Sequence, residues 1–268
     1  MHVTPVEARG LLWLKRDDLY EHAGVRGGKV RACLALVERA EREGAQGMVT
    51  AGSRHSPQVE IVAALTERYG LRFRAHVPAG RRTPQLEFAV AHGAELVSHR
   101  PGYNSVIVAR AREDAIQRGW HEVPFGMECR EAVDAALYQC QNLPDEMRRL
   151  VVAVGSGMTL AGITWGMAAA DRLTVPIVGV CVGADPTRRL DRWAHPFWRA
   201  FVELEQSEAV YGRGVPSEYE GVPLDAEYEA KVLPYLLAGD VFWIVGRRLD
   251  GRIERQLRGS TGERRGVG

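Results

Sequence analysis

The chain has 268 residues, 46% of them hydrophobic, and 35 basic side chains stand against 34 acidic ones. That length suits one large globular domain or two modest ones, and a charge sum near zero excludes a single-sign field drawing the whole protein to nucleic acid or an anionic membrane. No apolar run is long enough to span a bilayer, and the opening MHVTPVEARG lacks the basic-then-apolar order of a secretory leader.

Predicted elements follow in chain order. Residues 11–15 read as a strand and 29–43 as a helix, with Val30, Cys33, Leu34, Val37 and Ala40 on one face and Gly44 and Gly47 ending it. A short buried strand over 48–51 leads to a helix over 57–69, begun by Pro57 and stopped by Gly70. A strand over 72–77, a helix over 83–92, a strand over 95–98 and a helix over 105–118 come next. The second half repeats the rhythm with a helix over 128–141, a strand over 150–154, a helix over 159–171, and strands over 176–182 and 241–245. VVAV and IVGVCV are apolar at every position, as strands covered on both faces are. Strands alternating with helices predict βαβ units and a largely parallel sheet.

Residues 185–210 mix Arg188, Arg189, Arg192 and Arg199 with Trp193, Phe197 and Trp198. They read as an irregular helical stretch covering the sheet, with nucleobase binding as the rival reading of that composition. The arginine- and glycine-rich end, 247–265, reads as a solvated terminus. Cys33, Cys129, Cys140 and Cys181 are scattered without a C-x-x-C pair, which fits a reduced, cytoplasmic setting. The eight histidines show no H-E-x-x-H or comparable spacing, so no metal is expected.

Three stretches carry chemistry. In VVAVGSGMTLAGITWG a buried strand ends at Val154, Gly155, Ser156 and Gly157 turn the chain, and a helix starts near Thr159. Free N–H groups at such a start, together with the helix dipole, favour a phosphate. The Walker A pattern is absent, and Leu160 occupies the third glycine position of a dinucleotide fingerprint. In RGGKVRACLAL, Lys29 follows two glycines that leave the backbone bare. In TAGSRHSPQVEI a buried strand delivers Ser53, Arg54, His55 and Ser56 to the start of a helix, where helix capping is the plain alternative for the serines. In a parallel α/β sheet, ligands gather at the carboxyl ends of strands.

At these residues the chain resembles the fold type II pyridoxal-phosphate enzymes, nearest the branch of 1-aminocyclopropane-1-carboxylate deaminase and D-cysteine desulfhydrase. LWLKRDDL resembles their early strand and turn, GGKVRACLAL their Schiff-base lysine and its helix, and AGSRHSPQ their Ser-Asn-His segment. VGSGMTLAGI resembles their phosphate loop and EGVPLDAEYEAKVL their late Asp-Pro-Val-Tyr-x-x-Lys segment. The five fall in the family's order.

The resemblance implies pyridoxal 5′-phosphate as cofactor, with Lys29 holding its aldehyde as an imine. It further implies that Ser53, Arg54 and His55 face the cofactor ring or the substrate carboxylate, and that Gly155, Ser156, Gly157, Met158 and Thr159 hold the phosphate. Tyr211 in YGRGVP resembles a tyrosine near the substrate, and Glu220 is a candidate neighbour of the pyridine nitrogen. Gly28 stands where the family has Asn, Arg54 replaces the Asn of Ser-Asn-His, and the last strand runs into Val245, Gly246, Arg247 and Arg248.

The expected architecture is two open, mainly parallel, three-layer αβα domains with the cofactor in the cleft between them. The smaller domain is an insertion over 46–120, and 1–45 with 121–268 form the larger. Homodimers are common in the family. Three readings of function stay open: a lyase or deaminase acting on a small amino acid, with Lys29 taking its α-proton and Ser53, His55 or Tyr211 handling a second; a pyridoxal-phosphate enzyme remodelling an amino-acid group on a nucleobase or other larger molecule; and a noncatalytic phosphate- or nucleotide-binding protein.

Overall fold

A computed structural model describes residues 2–210, 212–215 and 217–246. Its elements are β1 (Val6–Arg9), β2 (Leu12–Arg16), α1 (Gly28–Arg42), β3 (Gly47–Ala51), α2 (Pro57–Arg68), β4 (Arg72–Pro78), α3 (Pro84–Ala91), β5 (Ala94–His99), α4 (Asn104–Arg118), β6 (His121–Val123), α5 (Arg130–Tyr138), β7 (Leu150–Val154), α6 (Met158–Ala169), β8 (Ile177–Cys181), α7 (Thr187–Trp193), β9 (Val202–Gln206) and β10 (Val241–Ile244). They form two sheets. One has six strands in the order β1-β2-β10-β7-β8-β9, and the other has four in the order β5-β4-β3-β6. Every pairing in both sheets is parallel except β1 with β2. The fold is therefore α/β with two open, mainly parallel sheets.

Burial explains which strands sit centrally. All residues of β3, β7, β8 and β10 are buried. Edge strands β1 and β9 are partly exposed and carry glutamates, VEAR and VELEQ. The predicted irregular cover over 185–210 thus resolves into α7, a short 3₁₀ turn over Trp198–Ala200 and the edge strand β9.

Helix α1 buries a wider arc than one helical stripe. Val30, Cys33, Leu36, Val37 and Ala40 are fully covered and Leu34 only partly. The reason is that α1 packs against both α2 and α5, so two faces lose water. Its apolar side chains share one cluster with Met48, Phe73, Ala75 and the buried face of α2. On the other sheet, α6 lies close against α5, with Leu160, Ile163 and Met167 buried against Leu150 and Val152 of β7.

The start of α2 is set locally. Ser56 caps α2 by accepting from the Gln58 amide at 3.3 Å, with Pro57 next. The four cysteines are buried, and burial pushes the thiols of Cys33, Cys129 and Cys140 up to about 12, so none is a thiolate at neutral pH. No described helix is long and apolar enough to cross a membrane.

Candidate active site

The carboxyl ends of β7 and β10 and the amino ends of α1 and α6 converge on one cavity of about 80 Å³. Two glycines bring α1 there. The Gly28 amide donates to Val245 O at 2.8 Å, and Gly27 packs against Gly246 with φ near 108°, a conformation L side chains rarely adopt. A Cβ on Gly28 would stand 2.5 Å from the Asp17 carboxylate. That carboxylate is itself fixed: Oδ1 accepts from Thr4 and Arg31, and Oδ2 from the Trp243 indole at 3.2 Å. An asparagine at position 28 would not fit, and the bare backbone lets the next residue, Lys29, line the cavity.

The sequence contains three lysines. Lys15 is fully buried and donates to Thr4 O and Asn142 Oδ1, both at 2.7 Å; burial lowers its pKa to about 8. Lys231 is buried against Glu227 at 2.6 Å and also donates to Val210 O. Lys29 is the lysine on the cavity wall.

The turn after β7 faces it. Gly155, Ser156, Gly157, Met158 and Thr159 all line the cavity. Gly157 takes the left-handed conformation, φ 87°, at the N-cap of α6, so the first amides of that helix are aimed outward without a side chain across them. The Tyr228 ring stands over Gly155, where a Cβ would lie 2.9 Å from it.

Tyr228, Asp225 and Glu229 complete the wall. Asp225 Oδ1 accepts from the amides of Glu227 at 2.9 Å and Tyr228 at 3.0 Å, which fixes the turn that presents both Tyr228 and Glu229. Glu229 Oε1 accepts from the amides of Val245 and Gly246 just past β10. Burial, reinforced by Asp225 nearby, holds the Glu229 carboxyl well above the ordinary carboxylate range. The folded state then keeps a proton that the unfolded chain releases near 4.5. Stability contributed by protonated Glu229 is present below that value and is lost as pH rises toward its folded pKa. In cofactor-free protein, the denaturant midpoint of the parent should fall relative to Glu229→Gln as pH is raised from 5 to 8; parallel curves for the two proteins would refute it.

The other predicted residues lie at varying distance. Ser53, half-buried, lies two residues past β3 and opens the loop that leads to the helix whose Pro57 and Ile61 line the cavity; it is not itself among the lining residues. Arg54 lies across Gly80 and donates to Arg81 O at 3.1 Å, and its own carbonyl accepts from Thr83. His55 is exposed. Glu220 is not among the residues lining the cavity. It occupies the turn between the two-residue strands Glu218–Tyr219 and Val222–Pro223, with φ 47° and its carboxylate beside Gly10. Tyr211, Arg247 and Arg248 lie outside the described residues. Of the aromatics in α7 and after it, Trp198 is buried with its N–H on Asp191, Trp193 bonds Glu128, and Phe197 is exposed.

The family model described as pyridoxal-phosphate dependent enzyme matches residues 3–200. Among solved structures, an ACC deaminase homologue aligns with a TM-score of 0.79 at 20% identity, covering 92% of this chain and 90% of that one. Threonine deaminase isoform 2 from Solanum lycopersicum, in its processed form, aligns at 0.66 with 15% identity, covering 97% and 88%. Maize serine racemase aligns at 0.64 with 12% identity, covering 98% and 93%. A search of curated proteins gives no significant match.

Pyridoxal phosphate is an aromatic aldehyde with a ring nitrogen on one side and a phosphate on the other. The cavity fits it in kind: an amine from Lys29, an amide-rich helix start from the 155–159 turn, an aromatic face from Tyr228 and a carboxyl from Glu229 all line it.

Proposed function

Because this chain belongs to the pyridoxal-phosphate dependent enzyme family and uses pyridoxal 5′-phosphate as its cofactor, we propose that it is a lyase or deaminase acting on a small amino acid. When bound, the cofactor supplies an aldehyde that condenses with amines and a ring that withdraws electrons from the substrate's Cα. In this reading Lys29 is the amine that holds it in the resting enzyme. The observation that carries the reading is Lys29 lining one cavity with the 155–159 turn, whereas Lys15 and Lys231 are not among its lining residues.

The chain's own groups then divide the work. The amides of the 155–159 turn bind the phosphate. The Lys29 Nζ would serve as the base that removes the α-proton of a bound amino acid. Glu229, anchored by the Val245 and Gly246 amides, would be the carboxyl group offered to the cofactor's ring nitrogen, a contact that would tune its electron withdrawal. Tyr228 covers the glycine turn and screens that wall from water. Ser53, at the strand end before α2, receives the substrate carboxylate, and His55 or Tyr211 passes the second proton. Arg54 orients the rim through its bond to Arg81. We extend the proposal to a homodimer, common among enzymes of this family, in a reducing cytoplasm that suits four buried thiols.

The test is chemical. Borohydride reduction of the holoenzyme, followed by digestion and mass spectrometry, should place the cofactor mass on the peptide containing Lys29. A label on Lys15 or Lys231, or none, would sink the assignment.

A further inference from the structure

Behind Lys29 lies a second, smaller cavity of about 30 Å³. It is bounded by the first turn of α1, by α5 and by the start of α6, so two helix N-termini face it. Its polar lining is rich in donors: Lys29, Arg31, Ser156 and Thr159 against one carboxylate, Asp17, among the described residues. Both Asp17 oxygens already accept hydrogen bonds.

Arg31 is the unexplained group. Its side chain is 2% exposed and rests on the Tyr20 ring at 4.1 Å. Its Nη1 is spent on Asp17 at 2.8 Å, while Nε and Nη2 find no hydrogen-bond partner among the described residues. Those two nitrogens form the edge of a guanidinium that forks an oxyanion with two parallel bonds. Water alone is a poor match, because its hydrogens need acceptors and the lining chiefly offers donors. An acceptor-only oxyanion matches, and two helix dipoles favour it. The volume exceeds the roughly 10–15 Å³ that one water needs, so more than one oxygen fits. Both cavities share Lys29, Ser156, Met158 and Thr159, so the smaller one adjoins the larger at the glycine turn.

Resting on the function proposed above, we infer that Arg31 is a further cofactor anchor. Its Nε–Nη2 edge grips the phosphate from the α1 side while the 155–159 amides hold it from the α6 side. Arg31 would then set the preference for pyridoxal phosphate over unphosphorylated pyridoxal.

The experiment uses cofactor-stripped full-length protein carrying isotope-labelled arginine, with inorganic phosphate as probe and chloride at equal ionic strength as control. The Arg31 Nε–H resonance, assigned by its loss in Arg31→Met, should shift on adding phosphate and not chloride. Calorimetry should give phosphate binding weakened by about tenfold or more in Arg31→Met, with the pyridoxal phosphate to pyridoxal preference reduced by a similar factor. An Arg31 signal unmoved at saturating phosphate, or equal phosphate affinity in folded Arg31→Met, would overturn the proposal and leave a water site. Should Arg31→Met not fold, Ala135→Val decides, because it narrows the cavity without touching Arg31 or the glycine turn: unchanged phosphate affinity overturns the inference. Borohydride labelling of wild-type Lys29 is scored separately, so a failure at Arg31 cannot be confused with a failure of the enzymatic reading.

Discussion

Lys29→Ala is expected to yield a folded protein that no longer exchanges the α-hydrogen of any amino acid the parent chain acts on, a loss of roughly 10²–10⁴-fold or more from removing the base alone. The measurement is proton NMR in heavy water over a panel of small amino acids, with circular dichroism as the check on folding. Exchange reports on the step shared by elimination, deamination and racemisation, so the result does not depend on knowing the product. The effect should be large because no other lysine can substitute. Lys15 sits at the carboxyl end of β2 with two hydrogens committed to Thr4 and Asn142, and Lys231 is pinned to Glu227 and Val210. Exchange persisting at the parent rate would exclude Lys29 as the base.

Gly162→Ala is expected to be the most damaging single methyl in the larger half of the molecule. A Cβ at 162 would lie 2.4 Å from Val133 O and 2.6 Å from the Ala136 Cβ, both on α5. One turn on, Gly166 meets Cys140 with similar closeness. Backbone atoms cannot yield as a flexible side chain does, so α6 must move away from α5. Overpacking of this kind costs about 1–3 kcal/mol, which for a chain of this size lowers the melting temperature by roughly 2–10 °C. Because α6 begins with the glycine turn, the same displacement should weaken cofactor binding. A melting temperature within about a degree of the parent would show that the helices separate easily.

Much of the fold was legible for a simple reason. A strand covered on both faces must be apolar throughout, and Leu150–Val154 and Ile177–Cys181 are. Edge strands answer to a looser rule. VELEQ over Val202–Gln206 carries two glutamates, and its position behind an arginine–tryptophan stretch hid it among helical residues. The ordered series of five motifs identified the family, and within it the glycine turn and Lys29 stood out because their local patterns are unusual in themselves.

Tyr228 and Glu229 were missed although LDAEYEAKVL was read as a family segment. That segment forms a turn and a 3₁₀ stretch over Glu229–Tyr235, so no helical period marks which side chains point inward. Nothing in the residue types separates the buried Glu229 from Glu220, nine positions earlier, which caps a surface hairpin. The distinction lies in the Asp225 turn and in the two amides beyond β10, contacts made across the sheet.

Strand β10 comes from the end of the described chain yet lies between β2 and β7. During synthesis the larger sheet must therefore exist first as two separate pieces, one holding β1 and β2 and the other β7, β8 and β9. The Lys29 helix packs on α2 and α5 without that strand, but its first turn, which hangs on Val245 through Gly28, is not anchored until β10 emerges and joins the pieces. Nascent chains released before Val241 should thus retain the four-stranded half but bind no vitamin B6, so cofactor capture waits on a strand made after both pieces it joins.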